Sequence, residues 1–300
     1  MKASLGCLTF LLGLIGSGEL RAGSGREPPT IARPSSSAPA AVAPAPISVT
    51  VDGVPMAFYA SGSRGPTIVL EAGSGGDHHS WLRVQPRLAA IGCVVSYDRL
   101  DYGASGRSPR PRTAVIIAEQ LRDGLTRAGF RPPYLLVGHS YGGALIRVFA
   151  ARYPDDIVGL VLVDPAQEGF YLRAGAEAPG AYLAQLEEDL AFADARASEA
   201  LRREYLAYET SMAQARQARP VAEGRIVLLS ATQMELAEPL RAIWLDEQAA
   251  WAARAGARLI RVNSGHDIPR RRPEAVVEAV RSLMPAAPGA ASPCPTHPRS

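Results

Sequence analysis

Residues 135–144 read Leu-Leu-Val-Gly-His-Ser-Tyr-Gly-Gly-Ala. An apolar run stops at Gly138, turns at Ser140 and resumes as a helical pattern beside Gly142 and Gly143. With glycine at 138 and 142 the turn is too tight for side chains on either flank, and it holds the serine strained and exposed at the end of a strand. A serine held that way is placed to attack a carbonyl carbon, which points to acyl-transfer chemistry. Its hydroxyl is a poor nucleophile at neutral pH unless a base takes the proton as it attacks. The chain has five histidines that could supply one: His78, His79, His139, His266 and His297.

The elements that must position these residues alternate. A polar-edged hairpin is predicted over 47–51 and 56–60, turning at Asp52-Gly53. Short β-branched or apolar runs at 67–71 and 93–97 have the character of buried parallel strands. A helical pattern over 114–128 precedes the strand at 134–137, and a second helix over 143–153 leaves the serine turn. Further strands are predicted at 158–163, 225–229 and 258–262, with helices at 239–256 and 273–284. Strand, helix and strand repeated in this way give an α/β fold: a mostly parallel central sheet with helices on both faces. One segment, 166–222, breaks the alternation with amphipathic helical spacing at Leu183, Leu186 and Leu190 and at Leu201, Tyr205, Tyr208 and Met212. Inserted between two strands on the serine's side, it is expected to form a helical lid, its apolar faces packing on the body of the domain.

Composition limits the alternatives. At 300 residues and 47% apolar, the chain can bury the core of one large α/β domain, expected at 47–284. The net charge is +3 and the arginines are scattered, so no nucleic-acid surface is expected. Lys2 followed by an apolar run over 5–15, with small residues at 16–18 and 22–24, reads as a signal peptide over 1–24 that is too short to span a bilayer. Export, secreted or periplasmic, is therefore expected, with no stable membrane span once processed. The Pro/Ala-rich stretch 25–46 reads as an extended linker and 285–300 as a disordered tail. Cys7 leaves with the signal peptide. A Cys93–Cys294 disulfide is possible, but the preferred reading is an inert buried thiol and an incidental tail residue. No Cys or His spacing suited to a metal occurs, so neither metal nor cofactor is expected.

Four stretches in this order resemble the α/β-hydrolase fold superfamily. Leu70-Glu71-Ala72-Gly73-Ser74-Gly75-Gly76 resembles the glycine-rich loop after the third strand of that superfamily, although members often carry His-Gly where this chain has Ala72-Gly73. Residues 97–105, Tyr-Asp-Arg-Leu-Asp-Tyr-Gly-Ala-Ser, resemble the turn after the fourth strand. Residues 138–143 match the nucleophile turn, and Asn263-Ser264-Gly265-His266-Asp267 matches the loop that bears the catalytic histidine. The resemblance extends over about residues 47–284.

What it implies is a serine hydrolase of the esterase type with nucleophile, acid and histidine in that chain order. Ser140 is then the nucleophile and His266 the base. His139 is expected to pack beneath the turn; His78 and His79 lie in the glycine-rich loop and could line the pocket, though solvated loop residues are the simpler reading; His297 lies in the tail. The acid that orients the imidazole is expected to be Asp164, after the strand 158–163. Glu235 is the alternative, in the loop after the next strand where most members carry it; Glu238 and Asp246 stand behind, and Asp267 is too close to His266 in sequence. The oxyanion donors are expected to be the N–H groups of Tyr141 and Ser74. The expected partner is a small acyl substrate, cleaved through an acyl-enzyme. An acyltransferase, a carbon–carbon hydrolase, a cofactor-free haloperoxidase or a non-catalytic ligand-binding member of the fold are the alternatives. Dehalogenase and epoxide-hydrolase relatives use aspartate at the nucleophile position and are disfavoured by Ser140.

Overall fold

Two consecutive left-handed residues, Asp52 (φ 50°) and Gly53 (φ 82°), open the domain. This turn has the twist that a two-residue hairpin needs. In the computed structural model, residues 46–63, 65–185, 187, 198–221, 224–284 and 294–295 are described. The segment read as a signal peptide, nearly all of the expected linker, Leu186, Leu190, His297 and most of the expected tail lie outside them.

The turn joins β1 (Ile47–Val51) to β2 (Val54–Ser61), with Val51 opposite Val54. Beyond it come β3 (Thr67–Glu71), β4 (Cys93–Tyr97), β5 (Tyr134–His139), β6 (Ile157–Val163), β7 (Ile226–Ala231) and β8 (Arg258–Val262). They form one sheet in the order β1-β2-β4-β3-β5-β6-β7-β8. Pairing is antiparallel from β1 to β2 and β2 to β4, and parallel everywhere else. Both β3 and β4 are buried at every position, as continuous apolar runs must be when both faces of a sheet are covered.

The helices are α1 (Gln85–Leu88), α2 (Ala114–Arg127), α3 (Tyr141–Arg152), α4 (Phe170–Glu177), α5 (Glu199–Leu206), α6 (Tyr208–Gln217), α7 (Glu238–Arg254), α8 (Ile268–Arg271) and α9 (Pro273–Leu283). From β3 the chain steps one way to β4, then crosses back to β5 and runs on in the opposite direction to β8. Right-handed crossovers therefore put α1 on one face and α2, α3 and α7 on the other. The reversal opens a crevice at the carboxyl ends of the central strands, where open α/β sheets bind ligands.

The insertion between β6 and β7 is helical as expected, with α4, a stretch over 179–185, α5 and α6. Leu201, Tyr205, Tyr208 and Met212 are all buried, with a break at Ala207 between α5 and α6. Their burial is against the domain: α6 packs on α2 and α3, and α4 on α7. Ser211 Oγ and Gln214 Oε1 on α6 accept the N–H groups of Ala114 and Val115, both at 3.0 Å. The insertion thus satisfies two of the free donors at the start of α2. None of its described residues lines the pocket that holds Ser140.

One expectation is overturned. Cys93 and Cys294 are joined in a disulfide across 201 residues of sequence, with their Cα atoms 5.2 Å apart. Cys93 is the first residue of β4, and the chain beyond α9 comes back to that end of the sheet, where Cys294 N–H donates to Ser63 O at 3.3 Å. Sequence separation hid a proximity that only the finished sheet creates.

Candidate active site

The strand into the serine turn runs two residues past its apolar core, to His139, and α3 begins at once with Tyr141. Ser140 between them has φ 53° and ψ −121°, a conformation that costs a non-glycine residue of order 1–3 kcal/mol and must be enforced by its surroundings. The enforcement is steric. A Cβ at position 138 would lie 2.5 Å from Gly142 O, and one at 142 would lie 2.5 Å from both Glu71 O and Ala72 O. Ser140 N–H donates to Val163 O at 3.0 Å and its carbonyl accepts from Gly143 and Ala166, tying the turn to β6. Ser140, Ser74, His139 and His266 all line one pocket of about 470 Å³.

His266 and Asp164 are brought together. Imidazole Nδ1 lies 2.6 Å from Asp164 Oδ2, both groups buried. Asp164 follows β6 with φ 42°. Its other oxygen, Oδ1, accepts from Ala231 N at 3.0 Å, Gln248 Nε2 at 2.9 Å and Trp244 Nε1 at 3.2 Å. Burial strips this carboxylate of water, and these donors replace the lost hydration. Trp244 and Gln248 were missed in the sequence; their signal was the i,i+4 spacing of two donors on one face of α7.

The other acid candidates go elsewhere. Glu235 pairs with Arg271 at 3.2 Å, Glu238 with Arg241, and exposed Asp246 lies 3.9 Å from Arg173. Asp267 caps α8 by accepting Arg270 N–H at 3.3 Å. Imidazole Nε2 of His266 is buried and has no hydrogen-bond partner among the described residues, which leaves it free to take a proton from a group in the pocket.

His139 departs from expectation: it lines the pocket instead of packing beneath the turn. Its Nε2 is 3.0 Å from His266 O and its ring is 4.7 Å from the His266 ring. Burial, then the neighbouring His266, push its pKa down to about 4, so it stays neutral beside the base at neutral pH.

The glycine-rich loop is held from behind by Arg99. This buried guanidinium donates to Ala72 O at 2.8 Å, Gly73 O at 2.7 Å, Glu71 Oε1 at 2.7 Å and Glu204 Oε1 at 2.6 Å. Burial works against its charge, but Glu204 and Glu71 outweigh that and hold it protonated more firmly than usual. Burial also pushes the Glu71 carboxyl up, opposed by Arg99 and by the Tyr97 hydroxyl that donates to it. Glu204 is on α5, so the insertion closes this network. Tyr141, as the first residue of α3, has an N–H with no intrahelical acceptor. Ser74 Oγ is buried without a hydrogen-bond partner among the described residues.

His78 is not a solvated loop residue. It stacks on Tyr59 at 3.6 Å, and its Nδ1 is 2.7 Å from the buried Asp98 carboxylate. His79, more than half exposed, lines the pocket, with Nδ1 3.1 Å from Asp77. Ligand-type atoms of Asp77, His78 and His79 come within 4.8 Å of one another and could hold a metal ion. Spacing alone did not reveal this group, because two adjacent histidines do not fit a ligand motif. The Nδ1 atoms of both rings already face carboxylates.

A model of the alpha/beta hydrolase fold matches residues 66–220, about half of the chain. The chain belongs to that family. It is similar to the uncharacterized protein YqjL of Bacillus subtilis, at 39% identity over 39% of this chain and 47% of the relative. The chain thus matches less than half the length of that curated relative. Among solved structures it is similar to the epoxide hydrolase CorEH, with 16% identity, TM-score 0.57, and coverage of 79% of this chain and 97% of that one. It is also similar to a thermophilic esterase from Thermogutta terrifontis, with 20% identity, TM-score 0.54, and coverage of 79% and 96%. At these identities the structural likeness is one of fold, and the chemistry has to be argued from the pocket.

Proposed function

We propose that this hydrolase-fold chain is a serine hydrolase that cleaves a carboxylic ester or related acyl substrate through an acyl-enzyme. The observation that carries this is a strained serine, Ser140, sharing one pocket with His266, whose far nitrogen is bound to the fully buried Asp164. In the proposed cycle His266 Nε2 takes the Ser140 proton as Oγ attacks the carbonyl carbon. The tetrahedral oxyanion is held by the N–H groups of Tyr141 and Ser74. Asp164 fixes the imidazole tautomer and stabilises the imidazolium. His266 then gives the proton to the departing alkoxide, and the ester bond breaks. Water, deprotonated by the same nitrogen, hydrolyses the acyl-enzyme and restores Ser140.

The test is labelling by a p-nitrophenyl phosphonate together with turnover of p-nitrophenyl butyrate. Stoichiometric modification at Ser140, with both labelling and turnover lost in Ser140→Ala, is the expected result. Wild-type turnover by Ser140→Ala would end the proposal. Export of the chain belongs to the same reading. A disulfide between Cys93 and Cys294 suits an oxidising compartment and not the bacterial or eukaryotic cytosol.

A further inference from the structure

The walls of the Ser140 pocket carry few long aliphatic side chains. Among its described lining residues, Leu82 is the one aliphatic side chain longer than a methyl group. A long acyl chain gains affinity by packing on apolar side chains, and among the described residues here Leu82 alone is of that kind. What the pocket offers is charge. Arg83 and Arg270 both line it, from segments far apart in sequence: Arg83 precedes α1, and Arg270 lies in α8, four residues after His266. The two segments are tied together by Arg83 Nη1, which donates to Arg270 O at 3.1 Å.

The pairing pattern around them is informative. Arg271 is matched with Glu235 and Arg272 with Glu274, yet neither Arg83 nor Arg270 has a carboxylate within ion-pair distance among the described residues. The neighbouring arginines that leave the pocket are neutralised locally; the two that line it are not. Asp267, the carboxylate on the same wall, spends an oxygen on the Arg270 backbone N–H instead of a guanidinium. A planar guanidinium fork without a carboxylate partner, with N–H groups to spare beyond the one Arg83 gives to Arg270 O, is a ready receptor for a planar anion, and carboxylate matches it bidentately.

We propose that the substrate is a small anionic ester, one carrying a carboxylate that is received by Arg83 and Arg270 while its ester carbonyl lies at Ser140. This rests on the serine-hydrolase reading and deepens it to a substrate class. Both guanidinium groups reach solvent, so the attraction is screened by salt.

The experiment compares the p-nitrophenyl monoester of succinate, anionic at pH 7.5, with neutral p-nitrophenyl butyrate of similar length. The measured quantity is the ratio of their kcat/KM values. In the wild type at low ionic strength the anionic ester is expected to be favoured by about tenfold, the scale of one charge-assisted hydrogen bond. The ratio should fall as sodium chloride is raised to 1 M and collapse toward one in the Arg83→Gln, Arg270→Gln double variant. A wild-type ratio at or below one overturns the proposal, and so does a ratio that the double variant leaves intact. Phosphonate labelling of Ser140 separates the two levels. Labelling and butyrate turnover without anion preference sink the substrate class alone; absence of labelling and of turnover on both esters removes the hydrolase reading as well.

Discussion

Asp164 shows how much of a site can depend on one carboxylate. It holds His266 through Oδ2 and collects three donors on Oδ1, so an amide in its place would have to turn an N–H toward an imidazole that is itself a donor there. Asp164→Asn is therefore expected to lower kcat on an activated ester by about four orders of magnitude, as loss of the right tautomer does in other triads. Glu235→Gln, which removes only a half-exposed pair with Arg271, should stay within about twofold on the same scale of mutational effects. A collapse in the second variant with activity kept in the first would reverse the assignment. His139 adds a pH effect of definite sign. Its folded pKa of about 4 lies below the ordinary 6.5, so between those values the unfolded chain binds the extra proton and stability falls as pH drops. Urea melts across pH 4–7 should show that slope, and it should flatten in His139→Asn.

At the scale of elements, the site depends on how the loop after β3 is gripped. In a trans peptide the carbonyl and the N–H point in opposite directions. Arg99 Nη2 and Gly76 N–H both hold Gly73 O on one side, which turns the Ser74 N–H of the same peptide to the other. Glu204 on α5 holds Arg99 in turn, so the insertion bears on the glycine-rich loop from behind although none of its described residues lines the pocket. In Glu204→Gln the grip weakens without a change of volume. We expect kcat to fall between about tenfold and the 10²–10³ of a lost oxyanion donor, with KM nearly constant and the phosphonate labelling rate reduced in parallel. A change confined to KM, or to melting temperature alone, would mean that Arg99 merely fills space. These contacts also show what the sequence could express. The strained turn at Ser140 was legible because glycines within four residues enforce it, and the placement of His266 after the last strand because a strand and a glycine precede it. The Arg99–Glu204 pair, 105 residues apart, and the donors gathered on Asp164 exist only once the insertion, β6, β7 and α7 are packed together. No local pattern encodes them.

For the whole molecule, the disulfide and the Ser140 pocket sit at opposite ends of the same sheet. Cys93 starts β4 and pairs in register with Thr67, the first residue of β3, while Ser140 follows the last residue of β5. A five-residue strand rises about 3.3 Å per residue, so roughly 16 Å of sheet separates the bridge from the chemistry. The bridge closes a loop of 201 residues, for which the chain-entropy account gives about 5 kcal/mol, and removal of a native disulfide costs about 2–5 kcal/mol in practice. Cys294→Ser should therefore lower Tm by about 5–15 °C, given the roughly 2–4 °C per kcal/mol of domains this size. Its initial rate on butyrate ester at 25 °C should match that of the wild type. Dithiothreitol should move the wild-type Tm to the value of the variant and leave the variant where it is. If the wild type melts identically with and without reductant, Cys294 does not hold the chain end to β4. If the rate falls along with Tm, the two ends of the sheet are coupled more tightly than 16 Å of parallel strand would suggest.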